Sequence, residues 1–147
     1  MNRLRSAALV LVLAVAALVS TTSTASASTQ NSNWGGVINP NGCSGYTVKS
    51  APIKDWLGRQ VGLLEVRWSP TCYVQWARLT AYNGATHLAV SIHESTHWNN
   101  AAGADDYNTK QNWTYGIILI DGPSSHVCAY GDIDPGIPGG RGTSFCV

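Results

Sequence analysis

The chain has 147 residues, 44% hydrophobic and 12% charged, with a formal net charge of +1. That balance excludes a broad basic surface of the kind that nucleic acid or an anionic membrane selects. Six Trp and six Tyr among so few charges exclude a disordered chain.

Residues Ala7 to Val19 form an unbroken apolar run of 13, preceded by Arg3 and Arg5 and followed by small residues up to Ala25-Ser26-Ala27. A basic start, a short apolar core and an A-x-A site predict a signal peptide over residues 1–27. Thirteen helical residues reach roughly 20 Å, short of a ~30 Å hydrocarbon core. No other stretch approaches spanning length, so a secreted chain without an integral membrane span is expected. Cleavage removes two Arg, leaving 7 Lys+Arg against 8 Asp+Glu, a charge of −1 on a chain of one-domain size.

Residues 28–42 are rich in Gly, Asn and Ser: 28–33 read as a frayed terminus and Trp34 to Cys43 as turns. Residues 43–147 read as one β domain. A strand begins at Tyr46, and Asp55-Trp56-Leu57-Gly58 is a turn signal. Gln60–Ser69 and Cys72–Tyr82 are strands about Pro70-Thr71. Thr86–Ile92 alternates with Leu88, Val90 and Ile92 on one side, Asn112–Ile120 is a β-rich run, and Asp121-Gly122-Pro123 precedes a further strand over Ser125–Tyr130. The Gly- and Pro-rich tail from Gly131 to Ser144 is expected to be irregular. With no amphipathic helix and no repeat, the chain is expected to be all-β, a small sandwich or partly closed barrel of about six strands.

Cys43, Cys72, Cys128 and Cys146 make an even count in an exported chain, which predicts disulfides. Three connectivities are open, and nearest-neighbour pairing, Cys43–Cys72 with Cys128–Cys146, is favoured.

If Ser69 faces Cys72 across the hairpin, Arg67 opposes Val74, Glu65 opposes Trp76 and Leu63 opposes Arg78. One face then carries Leu64, Val66 and Trp68 against Tyr73, Ala77 and Leu79, as core. The other gathers Glu65, Arg67, Trp76 and Arg78. That group is either a cross-strand ion cluster or an anion or carboxylate site with Arg forks beside an aromatic plane.

Gly42-Cys43, Thr47-Val48, Asp55 with Gly58, Val61-Gly62, Glu65-Val66-Arg67-Trp68-Ser69-Pro70-Thr71-Cys72 and Trp76-Ala77-Arg78 occur in an order that resembles the YjfA-like secreted domain, a family of unknown function. The E-x-R-x-S-x-x-C and W-A-R elements are intact, with Val66 and Trp68 in the places of Leu and Tyr. The family's first cysteine falls near Trp34, where this chain has none, and Cys146 has no family counterpart. The resemblance implies an exported, mostly β, disulfide-containing domain and brings no catalytic residues.

His93-Glu94-Ser95-Thr96-His97 fits H-E-x-x-H, in which two His one helical turn apart share a zinc and the Glu polarises water. The string follows an alternating strand and lacks an evident third ligand, so metal binding at His93 and His97, with His87 beside them, stands as an alternative. Asp132-Ile133-Asp134 hints at a calcium loop without the full ligand series, and Asn112-Trp113-Thr114 spells a glycosylation sequon. No nucleophile elbow supports a hydrolase triad, and the chain holds only two Glu, Glu65 and Glu94.

The reading is a secreted, non-enzymatic binding module without a cofactor, its ligand a glycan, a wall polymer or another protein. Trp34, Trp56 and Trp98, in loops, are the candidate contact residues. A small zinc-dependent hydrolase using His93, Glu94 and His97 is the alternative, and a toxin or defence factor the third.

Overall fold

The structure, a computed structural model, describes residues 32–120, 125–134 and 141–147. The expected signal peptide over residues 1–27, residues 28–31 and the expected turn at 121–123 lie outside the described residues. Among those described, no helix is long and apolar enough to cross a membrane.

The protein is all-β. Its strands among the described residues are β1 (Ser32–Gly35), β2 (Tyr46–Lys54), β3 (Gln60–Ser69), β4 (Val74–Glu94), β5 (Ala101–Trp113), β6 (Val127–Ile133) and β7 (Arg141–Cys146), with a 3-10 turn at Pro40–Gly42. All pairings are antiparallel. Six strands form one nearly closed, barrel-like sheet, and short β1 extends it beyond β5.

The 21-residue β4 organises this closure. It pairs with β5 along most of its length, and with β3 over residues 74–81 and β6 over residues 88–94. β6 carries β7, and β7 returns to β2, where Lys49 Nζ donates to the carbonyl of Cys146 at 2.8 Å. Two glycines permit the curl. A Cβ on Gly62 would stand 2.5 Å from the Thr80 carbonyl oxygen, and one on Gly131 would stand 2.9 Å from Leu64.

The inner faces enclose one main core, with Ile53, Leu64, Val66, Ala77, Leu79, Leu88, Ile92, Ile117 and Val127 fully buried. Both disulfides follow nearest-neighbour pairing. Cys43–Cys72 joins the segment after the 3-10 turn to the β3–β4 turn, and Cys128–Cys146 links directly opposed residues of β6 and β7.

Several local expectations are corrected. The β3–β4 turn holds four residues, Pro70 to Tyr73, with Tyr73 at φ 56°, so Ser69 pairs with Val74 rather than Cys72. Arg67 therefore opposes Trp76, Glu65 opposes Arg78 and Leu63 opposes Thr80. A shift of two residues preserves side-chain parity, so both hairpin faces keep their predicted occupants along the paired strands. Tyr73 leaves the core face for the exposed turn, and Trp68 is only half-buried.

Ala101–Gln111, to which the sequence pattern assigns no element, is strand, and regular pairing ends at Trp113 rather than Ile120. Ser32–Gly35 is strand rather than a frayed end and turns. The tail expected to be irregular contributes the end of β6 and most of β7. Asp134 acts as a local cap: its carboxylate accepts the N–H groups of Thr86 and His87 and pairs with Arg141 at 2.7 Å. Its two oxygens are thus committed, contrary to the calcium-loop hint.

Candidate functional site

Beyond Val66 and Ala77 the inner faces of β3 and β4 run on to Trp68 and Gln75, which pair across the strands, and Tyr46 pairs with Trp68 from β2. There the core ends and the barrel opens. Tyr46, Val48, Trp68, Tyr73, Gln75, Ile118 and Leu119 line a cleft of about 560 Å³ at this mouth. Its far wall comes from the irregular stretch after β5, held by a backbone bridge between Gln75 and Ile117. Tyr46, Val48, Tyr73 and Ile118 are exposed, Tyr73 to 70%. Trp68 meets Tyr73 edge-on, with ring centroids 6.4 Å apart.

The lining is aromatic and aliphatic, and Gln75 supplies its only amide. The Gln75 Oε1 atom is buried without a hydrogen-bond partner. Contiguous exposed apolar surface around a pocket is the physical signature of an interaction site.

The sequence-derived contact residues lie elsewhere. Trp56 stands in the β2–β3 turn and Trp98 in the β4–β5 loop, 79% and 78% exposed as expected of contact residues. Neither lines the cleft. Trp34 lies in β1, with Gly103 of β5 as its backbone partner, rather than in a loop.

Glu65, Arg67, Trp76 and Arg78 do come together, on the outer face of the β3–β4 hairpin. Arg78 grips Glu65 with two hydrogen bonds, from Nε at 2.8 Å and Nη2 at 3.0 Å. Thr47 Oγ1 donates to Glu65 at 2.7 Å, and Arg67 lies over the Trp76 ring, 5.5 Å from its centroid. Burial alone would raise the Glu65 carboxyl pKa. The hydrogen bonds from Arg78 and Thr47, with the charges of both arginines, overcome this and hold it below the ordinary value.

The H-E-x-x-H string is not helical. His93 and Glu94 end β4, and residues 95–97 enter the loop. Consecutive strand residues point to opposite faces, so the one-turn spacing that lets two histidines share a zinc is missing here. Glu94 is fully buried, and its carboxylate accepts the Asn100 side-chain amide at 2.8 Å, the Ile120 N–H at 3.1 Å and the Ser125 hydroxyl. His97 Nδ1 stands 3.8 Å from it. His87 instead pairs with Asp105 at 2.8 Å and stacks on Tyr107. Among the described residues, no three His, Cys, Asp or Glu side chains gather where they could hold a metal ion. The sequon Asn112 is also fully buried, its amide donating to the carbonyls of Leu88 and Ala104.

The cleft was missed at the level of sequence because its residues come from four separate segments. One signal was present: Tyr46, Trp68 and Tyr73 cluster about the β3–β4 hairpin. No protein-family model, curated protein or solved structure matches the chain.

Proposed function

We propose that the protein is a secreted, non-enzymatic binding module of the YjfA-like kind that seats its ligand in the barrel-mouth cleft. The observation that carries this reading is the open, aromatic and aliphatic lining formed by Tyr46, Val48, Trp68, Tyr73 and Ile118 at the end of the inner face. Two disulfides fit an oxidising, extracellular setting.

The lining favours apolar side chains of another extracellular protein or peptide over a glycan. A glycan's hydroxyls need many convergent polar groups, and this cleft has one amide and the tyrosine hydroxyls. Three aromatic side chains, Tyr46, Trp68 and Tyr73, beside aliphatic contacts are the composition of protein-binding hot spots.

The test is a binding screen of residues 28–147 against an apolar peptide library and, in parallel, cell-wall and polysaccharide preparations. Peptide binding that is lost in Tyr73→Ala and Ile118→Asp is expected. Binding to polysaccharide alone, or binding unchanged in both variants, overturns the reading.

A further inference from the structure

On the outer face, away from the barrel mouth, one carboxylate serves two guanidinium groups. Glu65 gives both oxygens to Arg78. Arg67 stands 3.7 Å from the nearer oxygen, and its short hydrogen bonds go to neutral acceptors, Thr47 Oγ1 at 2.9 Å and the Gly45 carbonyl at 2.6 Å. The trio therefore keeps one positive charge.

That charge lies in a recess of about 230 Å³ bordered by Trp76, Trp113, Asn41 and Gln111, with both arginines on its wall. The indoles are nearly buried, at 5% and 8% exposure, and set an apolar wall beside the arginines, of which Arg78 is 30% exposed. The Arg67 side chain is only 16% exposed. Burial, then the charge of Arg78, lowers the Arg67 pKa against the opposing pull of Glu65. Two cations are thus held together with incomplete neutralisation. Arg67 Nε and Arg78 Nη1 have no hydrogen-bond partner among the described residues.

Spare guanidinium donors, a net charge of +1 and a low-dielectric wall are the elements that recognise an oxyanion, because charge-assisted hydrogen bonds strengthen where water is excluded. We infer that the recess of Arg67, Arg78, Trp76 and Trp113 is a binding site for an oxyanion: a carboxylate, sulfate or phosphate group. The site is separate from the barrel mouth and stands or falls independently of it.

The experiment is calorimetric titration of the folded domain with sodium sulfate, phosphate and acetate against chloride at matched ionic strength. Saturable binding of at least one oxyanion over chloride is expected, with about tenfold or greater weakening in Arg67→Gln. Because Arg67 also braces Gly45 and Thr47, a second variant, Gln111→Glu, places a competing carboxylate on the rim while leaving the arginines in place. Gln111 Nε2 donates to Thr80 Oγ1 at 3.0 Å, a hydroxyl that can itself donate to the new carboxylate, so the variant is expected to stay folded and to weaken binding about tenfold as well. Titration with dextran sulfate against neutral dextran then tells a polymer-borne group from a free ion. No saturable oxyanion binding up to tens of millimolar, or binding unaffected by Gln111→Glu, overturns the proposal.

Discussion

The Glu94 carboxylate accepts the backbone N–H of Ile120 at 3.1 Å, across 26 positions of sequence. The same carboxylate holds Asn100, whose amide also donates to the Ile118 carbonyl at 2.7 Å. One buried acid at the end of β4 thus ties the β4–β5 loop to the segment that forms a wall of the cleft. The residue that would be the catalytic base of a zincin is the fastener of the cleft wall.

Glu94→Gln separates those two roles. It replaces an acceptor oxygen with a donor where three donors converge on a buried carboxylate, so stability should fall by about 2–4 kcal/mol. Chemical denaturation at neutral pH measures this. Binding of an apolar dye at the cleft should weaken in the same variant under conditions where it is still folded. A catalytic Glu94 predicts the opposite pattern: normal stability, stoichiometric zinc in protein purified without added metal, and a peptidase activity that the substitution abolishes.

Asn112 pairs with Leu79 in regular register, just before the irregularity where the β4–β5 register shifts between Thr80 and Ala85. Its Nδ2 bridges Leu88 and Ala104, and its Oδ1 accepts the Trp113 N–H at 2.8 Å. Asn112→Ala removes three hydrogen bonds from a buried place, at a cost of about 2–4 kcal/mol by thermal or urea unfolding. Expressed in a glycosylating host, the folded protein should carry no glycan at this sequon, as intact mass would show.

The Glu65 cluster gives acid sensitivity a defined sign. The folded pKa lies below the unfolded value, near 4.5, so the folded state favours the ionised form. The resulting stability is fully present above about 4.5 and is lost as pH falls from there through the lower folded pKa. Wild-type stability should therefore drop more steeply below that pH than the stability of Glu65→Gln. The two curves should converge in acid, where both carry a neutral group opposite Arg78. Parallel curves from denaturant titrations between pH 3 and 7 would count against this account.

What could be read in advance depended on whether local pattern or distant pairing decides the structure. β3 could be placed to its ends because its apolar residues alternate and Pro70 stops the ladder. The ionic face survived a wrong register because a slip of two keeps parity. Ala101–Gln111 could not be read as a strand: Ala-Ala-Gly-Ala-Asp-Asp has no β-branched residue, and its conformation comes from β4 on one edge and β1 on the other. The cleft was illegible for a related reason. Tyr46, Tyr73 and Ile118 meet only after β2, the hairpin turn and the segment beyond β5 converge as the barrel closes.

The two disulfides should be unequal in function though similar in stability. Cys43–Cys72 spans 29 positions and Cys128–Cys146 spans 18, so the chain-entropy model assigns each about 3–4 kcal/mol. Their surroundings differ. Cys72 directly precedes Tyr73, and Cys43 lies three residues before Tyr46, so the first bridge pins both tyrosines of the cleft. It also packs against the small cluster of Val74, Trp76 and Trp113 beneath the arginine recess. The second bridge joins β6 to β7, whose residues do not line the cleft. Paired Cys→Ser replacement of the first bridge should lower stability and weaken dye binding at the mouth. Replacement of the second should lower stability by a similar amount while the folded fraction binds dye normally. Denaturation curves together with dye titration, both in non-reducing buffer, measure the two quantities. Equal loss of dye affinity in both variants would mean that the mouth is shaped by closure of the whole barrel rather than by the Cys43–Cys72 tether.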